Sequence, residues 1–218
     1  MFNRAIDWEL LRGDNPAARV RLLAETKKTR FLSREEVGRL LGVLANVTDW
    51  RWRAYFSLVL MLGKRRTEML EARWSDVNLV EGLWKIGLTK NGQPDFVVLP
   101  PQVGKLMAAL PSRGESSWVF PGDRSGQPLK APYKAWQQIR EQAKILDVTI
   151  HDLRHTTASW MVGQNFSLAL VGKALNHADP TTTNRYVHAM NDAVRAAKEQ
   201  TINAMLGTQA AQTSENSF

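Results

Sequence analysis

The sequence contains no cysteine among its 218 residues, so disulfides, thiolate zinc sites and cysteine nucleophiles are excluded. Long hydrophobic runs are missing as well, because none approaches the roughly 20 apolar residues that a membrane-spanning helix requires. The first residues, MFNRAIDWELLRG, lack the apolar stretch of a secretory signal. These absences predict a soluble cytoplasmic protein that is neither exported nor placed in a membrane.

Acidic residues are fewer than basic ones. The chain carries 29 Lys and Arg against 21 Asp and Glu, a formal net charge of +8, and its sequence pI is near 10.0. Cationic side chains that neutralise phosphates gain affinity by releasing condensed counterions. The composition therefore favours a polyanionic partner, with nucleic acid as the first hypothesis and a membrane surface as the second.

A change of pattern near residue 30 indicates a domain boundary. Residues 2–12 have helical apolar spacing, whereas residues 13–30 are mostly polar and basic. Ser33 followed by Glu36 has the spacing of a helix capping box, and apolar residues at helical spacing come next. The predicted parts are a residual helix and linker over 1–28, a compact domain over 29–206 and a disordered polar tail over 207–218.

Apolar periodicity predicts a mainly α-helical fold with one small β-sheet. The run WRAYFSLVLML, residues 52–62, is apolar on nearly all sides and predicts a buried helix that ends at Gly63. Asn91-Gly92 is a strong hairpin signal between two β-prone runs. The predicted strands of a three-stranded antiparallel sheet are 74–77, 83–86 and 96–99. Further helices are predicted over 133–146, 151–162, 168–175 and 191–206.

All four histidines lie between residues 151 and 188, which marks a candidate site. In HDLRH, residues 151–155, His151 and Arg154 are three residues apart and would share a helix face, which suits a phosphate oxygen. One alternative is that His151 caps the helix while Arg154 pairs with a surface carboxylate. Another is a metal site: either zinc held by His151, Asp152 and His155, or the His-Asp pair of a metal-dependent phosphohydrolase. No histidine precedes residue 151 to complete such a metal site.

Two arginines directly follow the predicted buried helix. In LGKRRTEML, residues 62–70, Arg65 and Arg66 come just after the glycine break, and Glu68 lies three residues beyond Arg65. The rigid fork of a guanidinium suits two-point binding of a phosphate. A pair of solvated arginines, one held by Glu68, also fits this pattern. Lys90 precedes the hairpin turn, where it would either reach into a groove or remain solvated.

The chain has three tyrosines, and one of them, Tyr186, lies nine residues after His177. The ordered motifs of the chain resemble those of the tyrosine recombinases, also called the phage integrase family. The resemblance extends over about residues 31–190 and implies the DNA breaking-rejoining catalytic fold of that family. The motifs that carry it are Gly63-x-Arg65-x-x-Glu68, Thr89-Lys90 before a turn, His151-x-x-Arg154-His155, Leu175-x-His177 and Tyr186.

The resemblance implies a catalytic role for six residues. Tyr186 would attack the scissile phosphodiester and form a 3′-phosphotyrosyl link, so that neither ATP nor a metal is needed. Arg65 and Arg154 would bind the non-bridging oxygens, with a further hydrogen bond from His177. Lys90 would protonate the departing 5′-oxygen. The remaining one is His151, which would assist proton transfer at the tyrosine.

Four further positions qualify this set. Glu68 would orient Arg65, and Arg66 is a weaker candidate for the first arginine. The chain departs from the family pattern at two positions: Lys64 adds a charge between the glycine and Arg65, and Asn176 replaces the usual glycine before the histidine. Asparagine tolerates left-handed backbone better than most residues. The placement of the histidine is therefore expected to survive the replacement.

The resemblance also implies partners. The substrate would be double-stranded DNA at attachment sites, in a bacterial or phage-infected cytoplasm, for integration or excision of a phage or mobile element. Strand exchange would take place in a homotetramer, with residues 191–206 docking on a neighbouring protomer or forming an ordinary core helix. Residues 1–28 would be the end of an upstream core-binding domain, so that DNA affinity is expected to be weak. The alternative function is a catalytically inactive DNA-binding relative, either a regulator or a prophage remnant.

Overall fold

The computed structural model describes residues 1–18, 20, 30–88 and 94–176. Three candidate site residues, Lys90, His177 and Tyr186, lie outside the described residues. The predicted hairpin turn and the predicted helix over 191–206 lie outside them too. Within the described ranges, no helix is both long and apolar enough to cross a membrane.

Eight α-helices and one antiparallel sheet make up the described chain. The helices are α1 Phe2–Asp7, α2 Arg34–Ala45, α3 Trp50–Leu62, α4 Arg66–Leu70, α5 Pro101–Ala108, α6 Tyr133–Gln142, α7 Ile150–Gly163 and α8 Leu168–Leu175. The strands, paired in the order β1-β2-β3, are β1 Val77–Asn78, β2 Leu83–Leu88 and β3 Pro94–Val98. The mainly helical class with a three-stranded antiparallel sheet is confirmed.

Helix α3 is the centre of the core. Eight of its residues are buried, and its aromatic side chains pack against neighbours from other elements: Phe56 lies 5.2 Å from Trp136, and Tyr55 lies 5.7 Å from Phe120, between ring centroids. The helix ends where predicted, because Gly63 adopts left-handed backbone with φ 60°. This end delivers the following residues to the candidate site.

Two local predictions need correction. Residues 74–77 were predicted as a strand, but Trp74–Asp76 form a turn of 3-10 helix and only Val77 and Asn78 pair with β2. The side chain of Asn78 accepts hydrogen bonds from the amides of Val80 and Glu81, which turns the chain directly after these two residues. Helix α5 was not predicted, although Pro101 in its first turn and the buried pair Val103 and Met107 are regular helix signals.

The predicted capping box opens the compact part of the chain. The Ser33 hydroxyl accepts from the Glu36 amide at 3.2 Å, and the Glu36 carboxylate accepts from the Ser33 amide at 2.9 Å. Arg30 binds the same carboxylate at 2.6 Å and Asp147 at 2.7 Å. Because Asp147 lies just before α7, Arg30 links the start of α2 to the start of the helix that carries His151 and Arg154.

Candidate active site

Three cationic side chains meet at the C-terminal end of α8. Lys64 donates to the carbonyl of Ala174 at 2.8 Å, and Arg154 donates to the carbonyl of Leu175 at 2.7 Å. Arg65 makes a longer hydrogen bond, 3.5 Å, to the carbonyl of Asn176. The last carbonyls of a helix lack partners within the helix and carry partial negative charge. We call these three residues the cation cluster.

Arg154 joins two separate chain segments. Its side chain is 3% exposed, and it donates to the carbonyl of Gly63 at 2.8 Å as well as to that of Leu175. The guanidinium therefore connects the break after α3 to the end of α8. These contacts place Arg154 in the interior with two backbone carbonyls as acceptors, whereas the alternative expected a surface arginine.

Gly63 is required at this break for two reasons. Its φ of +60° favours glycine, and a Cβ atom would lie 2.6 Å from Cδ2 of Leu175 and 3.2 Å from Cβ of Thr157. A side chain at this position would therefore require Leu175 and Thr157 to shift. The glycine brings the cation cluster together.

We expect Gly63→Ala to lower the free energy of unfolding by about 2–4 kcal/mol, since it combines backbone strain with overpacking. Urea unfolding measures the loss. Gly42→Ala is the matched control, because Gly42 is an exposed glycine within α2 whose added Cβ would meet nothing within 4 Å. That change should be neutral or stabilising by up to about 1 kcal/mol. Equal effects of the two substitutions would contradict the requirement for glycine at position 63.

Arg65 differs from Arg154 in exposure. Its side chain is 47% exposed and pairs with Glu68 at 2.6 Å, while the same carboxylate accepts from the Arg65 backbone amide at 2.9 Å. The Glu68 carboxylate thus accepts from both the guanidinium and the backbone amide of Arg65. Arg66 points elsewhere, with its guanidinium 5.1 Å from the ring centroid of Tyr133 and a hydrogen bond to the Tyr133 hydroxyl. Of the two arginines, Arg65 is the one in the cation cluster.

The histidines on α7 lie beside each other at the start of the helix. His151 is exposed and His155 is 8% exposed, with ring centroids 4.5 Å apart and the rings nearly perpendicular. The N-cap of α7 is Thr149, so the alternative in which His151 caps the helix is wrong. Asp152 accepts from the amide and the hydroxyl of Thr149 at 2.7 and 2.8 Å. Its carboxylate therefore serves the helix cap. Across the described ranges, no three His, Asp or Glu residues are grouped as metal ligands.

In the sequence Lys64 stands out only as a departure from the family pattern, but in the structure it is part of the cation cluster. The residue is 1% exposed. The pKa of Lys64 is lowered to about 8, mainly by burial and also by Arg154 and Arg65, while Glu68 and Asp95 partly oppose the shift. The sequence signal for this role was the position of a lysine between a helix-ending glycine and a site arginine. Its acceptors, Ala174 and Asn176 at the end of α8, lie 110 and 112 residues further along the chain.

The lowered pKa of Lys64 predicts a stability that rises with pH. Between about pH 8 and the ordinary lysine value of 10.5 the folded chain loses this proton while the unfolded chain keeps it. Since the unfolded state then binds more protons, the free energy of unfolding should increase by up to about 2 kcal/mol between pH 8 and 9.5. Urea unfolding at these pH values measures the slope.

The Lys64→Met variant is the control for this slope, because it removes the titrating group. It should show a markedly smaller increase over the same interval. Burial raises the pKa of Tyr55, so that its ionisation in the unfolded state opposes the trend only near and above pH 10. An identical slope in the wild type and in Lys64→Met would assign the pH dependence to another group.

Residues 30–192 match the phage integrase family. Tyrosine recombinase XerC of Xylella fastidiosa (strain 9a5c) is 31% identical over 195 residues, which cover 83% of this chain and 65% of that protein. Across eight curated relatives, the chain spans 55 to 70% of their length.

Two solved structures share the fold. One is the XerH site-specific recombinase bound to difH substrate, with a TM-score of 0.64 and 23% identity, covering 81% of this chain and 55% of that chain. The other is the catalytic domain of bacteriophage HP1 integrase, with a TM-score of 0.59 and 20% identity, covering 79% of this chain and 95% of that chain. The predicted catalytic fold is thereby confirmed. With its family match over residues 30–192, the chain belongs to the phage integrase family, the tyrosine recombinases.

Proposed function

We propose that this chain is the catalytic part of a site-specific DNA recombinase, which cleaves and rejoins double-stranded DNA through a covalent 3′-phosphotyrosyl intermediate. The observation that carries the proposal is the meeting of Arg65 and Arg154 on consecutive carbonyls at the end of α8. Neighbouring guanidiniums suit the non-bridging oxygens of one phosphodiester. Membership of the tyrosine recombinases supports the same chemistry.

In the proposed reaction, the hydroxyl oxygen of Tyr186 attacks the scissile phosphorus and the 5′-oxygen departs. Lys90 gives a proton to that 5′-oxygen, and His151 takes part in removing the proton of the tyrosine. Arg65, Arg154 and His177 offset the negative charge that builds on the phosphoryl oxygens in the transition state. Rejoining reverses these steps with the 5′-hydroxyl of another strand as nucleophile, so no ATP is consumed.

Glu68 has a supporting role in this proposal. Its carboxylate binds the guanidinium of Arg65 at 2.6 Å and the backbone amide of Arg65 at 2.9 Å. A half-exposed arginine has many rotamers, and two anchors on one carboxylate reduce that freedom before DNA arrives. The guanidinium is thus held near the carbonyl of Asn176, the residue that precedes His177 in the sequence.

The proposal extends to the assembly and the biological role. Recombination joins two duplexes, so we infer a homotetramer on DNA in which residues 191–206 of each protomer dock on a neighbour. The role would be integration or excision of a phage or other mobile element at its attachment sites. The excess of basic over acidic residues, a formal net charge of +8, supports a DNA partner.

Formation of a covalent DNA adduct tests the proposed function. The full chain is incubated with a pool of nicked duplexes that carry a randomised central sequence, in EDTA and without ATP. The mixture is then denatured in SDS. We expect a protein-DNA species that withstands denaturation, and sequencing of the recovered DNA identifies the preferred site. Absence of any adduct at protein concentrations that saturate DNA binding would refute the proposal, and an adduct formed only with added metal would indicate a different hydrolytic chemistry.

A further inference from the structure

The two departures from the family pattern are in direct contact with each other. Lys64 donates a hydrogen bond to the side-chain oxygen of Asn176, which lies 112 residues further along the chain. The same ammonium donates to the carbonyl of Ala174 at 2.8 Å. One lysine therefore holds both the last turn of α8 and the residue that ends it.

Each of the two residues accounts for the presence of the other. A lysine that is 1% exposed is costly to bury unless its ammonium is paired with acceptors. Asn176 has left-handed backbone, φ 57° and ψ 51°, which glycine would also adopt, but glycine would offer no side-chain oxygen. Conversely, an apolar residue at position 64 would leave the amide oxygen of Asn176 and the carbonyl of Ala174 without this donor.

We propose that Lys64 and Asn176 form one positioning pair that fixes the end of α8 relative to Arg65 and Arg154. Because His177 directly follows Asn176 in the sequence, the pair also fixes the backbone position from which His177 continues. The inference rests on the proposed function, because it assigns the pair a task within that catalytic site. It adds two residues that neither bind the phosphate nor carry protons in the reaction.

The end of α8 needs a contact other than those of the two arginines, because the arginines have two sets of acceptors. In the described structure Arg65 and Arg154 donate to the carbonyls of Asn176 and Leu175, and in the proposed reaction they donate to phosphoryl oxygens. When Arg65 turns to a phosphate, its long 3.5 Å bond to the carbonyl of Asn176 is the weakest of these contacts and is given up most readily. Lys64 is buried and faces the end of α8, so it keeps the segment in place while the arginines act.

The charges around the Lys64 ammonium bear on how firmly it holds the end of α8. Glu68 on α4 and Asp95 on β3 favour the protonated lysine, while Arg65 and Arg154 disfavour it. The charged form binds its two oxygen acceptors more strongly than the neutral amine does. The support should therefore weaken as the ammonium loses its proton in alkaline solution.

A double-mutant cycle tests the pair: Lys64→Met, Asn176→Gly and the double variant. Asn176→Gly keeps the left-handed backbone and removes the carboxamide side chain that accepts from Lys64, so this variant is expected to fold even where Lys64→Met is unstable. At saturating DNA, we expect each single change to lower the first-order rate of adduct formation about 10-fold to 100-fold. The double variant should be no slower than the slower single variant, because both changes break the same contact.

Three readouts separate positioning from general damage. The dissociation constant for the selected DNA should stay within about twofold of the wild type in all three variants, because neither residue is assigned a phosphate contact. The rate advantage of wild type over Lys64→Met should shrink as the pH rises through about 8. Lys173→Met is the matched control. It removes one lysine charge from an exposed position on α8 and should leave the cleavage rate unchanged.

A measurement without catalysis distinguishes this inference from the proposed function. In uniformly labelled protein, the His177 ring resonances, assigned by their loss in His177→Gln, should shift in Lys64→Met and in Asn176→Gly but not in Lys173→Met. Unmoved resonances, or rate losses that multiply in the double variant, would overturn the positioning pair. If the resonances shift and the wild type still forms no adduct, the pair stands and the recombinase assignment fails.

Discussion

The Tyr186→Phe variant is expected to form no covalent adduct with DNA, at any protein concentration or incubation time, while binding DNA as the wild type does. Phenylalanine lacks the oxygen that would bond to phosphorus, and no other group in the proposed site replaces it. Adduct yield after SDS denaturation and a parallel binding titration measure the two properties. The expected effect is complete, because the substitution removes an atom that the intermediate contains.

The chain supplies its own controls for this experiment, since it has two other tyrosines. Tyr55 is 0% exposed in the core of the fold, and burial raises its pKa, so its hydroxyl has no access to DNA. Tyr133 is 62% exposed and is hydrogen-bonded to Arg66, which makes it the other tyrosine that a phosphodiester could reach. Tyr133→Phe should form the adduct at close to the wild-type rate.

The outcome of this pair of variants is decisive for the nucleophile. An adduct that persists in Tyr186→Phe and disappears in Tyr133→Phe would move the nucleophile to the tyrosine beside Arg66. An adduct that persists in both variants would show that neither Tyr186 nor Tyr133 is by itself required for the linkage.

Replacing Arg154 by methionine should cost both activity and stability. Removal of a guanidinium that stabilises a phosphoryl transition state is expected to slow adduct formation at least about 1,000-fold. The same change leaves the carbonyls of Gly63 and Leu175 without the charged donor that they share. Two lost hydrogen bonds to a charged group imply a loss of about 3 kcal/mol in the free energy of unfolding. Urea unfolding and the first-order rate of adduct formation measure the two effects.

Arg65→Met is the natural comparison for Arg154→Met. We expect a similar loss of rate, because both guanidiniums are assigned to the phosphate. Its effect on unfolding should remain below about 1 kcal/mol, because the Arg65 side chain is 47% exposed and exposed ion pairs contribute little. Arg154→Lys should recover part of the stability but not the rate, since an ammonium lacks the planar fork that spans two acceptors. Wild-type stability in Arg154→Met would contradict the structural half of this argument.

Local signals explain which elements were predictable. Helix α8 was predicted with the bounds that it has, and α3 ends at the predicted glycine, because both carry regular apolar spacing and a clear stop. The strand predicted over residues 74–77 was mostly wrong. Its β-prone residues form a 3-10 turn, and the turn that follows depends on the side chain of Asn78.

The candidate site was predictable only in part. The spacing of motifs pointed to Arg65 and Arg154, but the burial of Arg154 depends on carbonyls 91 and 21 residues away, which no local pattern encodes. Lys64 is the stronger example. On local grounds a lysine beside two arginines is expected to be solvated, and only the meeting of α8 with the break after α3 buries it.

The contacts of Arg30 determine where a shortened version of this chain should start. Its guanidinium binds Glu36 at 2.6 Å and Asp147 at 2.7 Å, and the family match begins at the same residue. A fragment that starts at residue 30 retains both ion pairs, whereas one that starts at residue 31 removes the cation between two carboxylates. The fragment that starts at residue 30 therefore keeps the ion pairs that connect α2 to the start of α7. The fragment that starts at residue 31 leaves Glu36 and Asp147 without their shared cation.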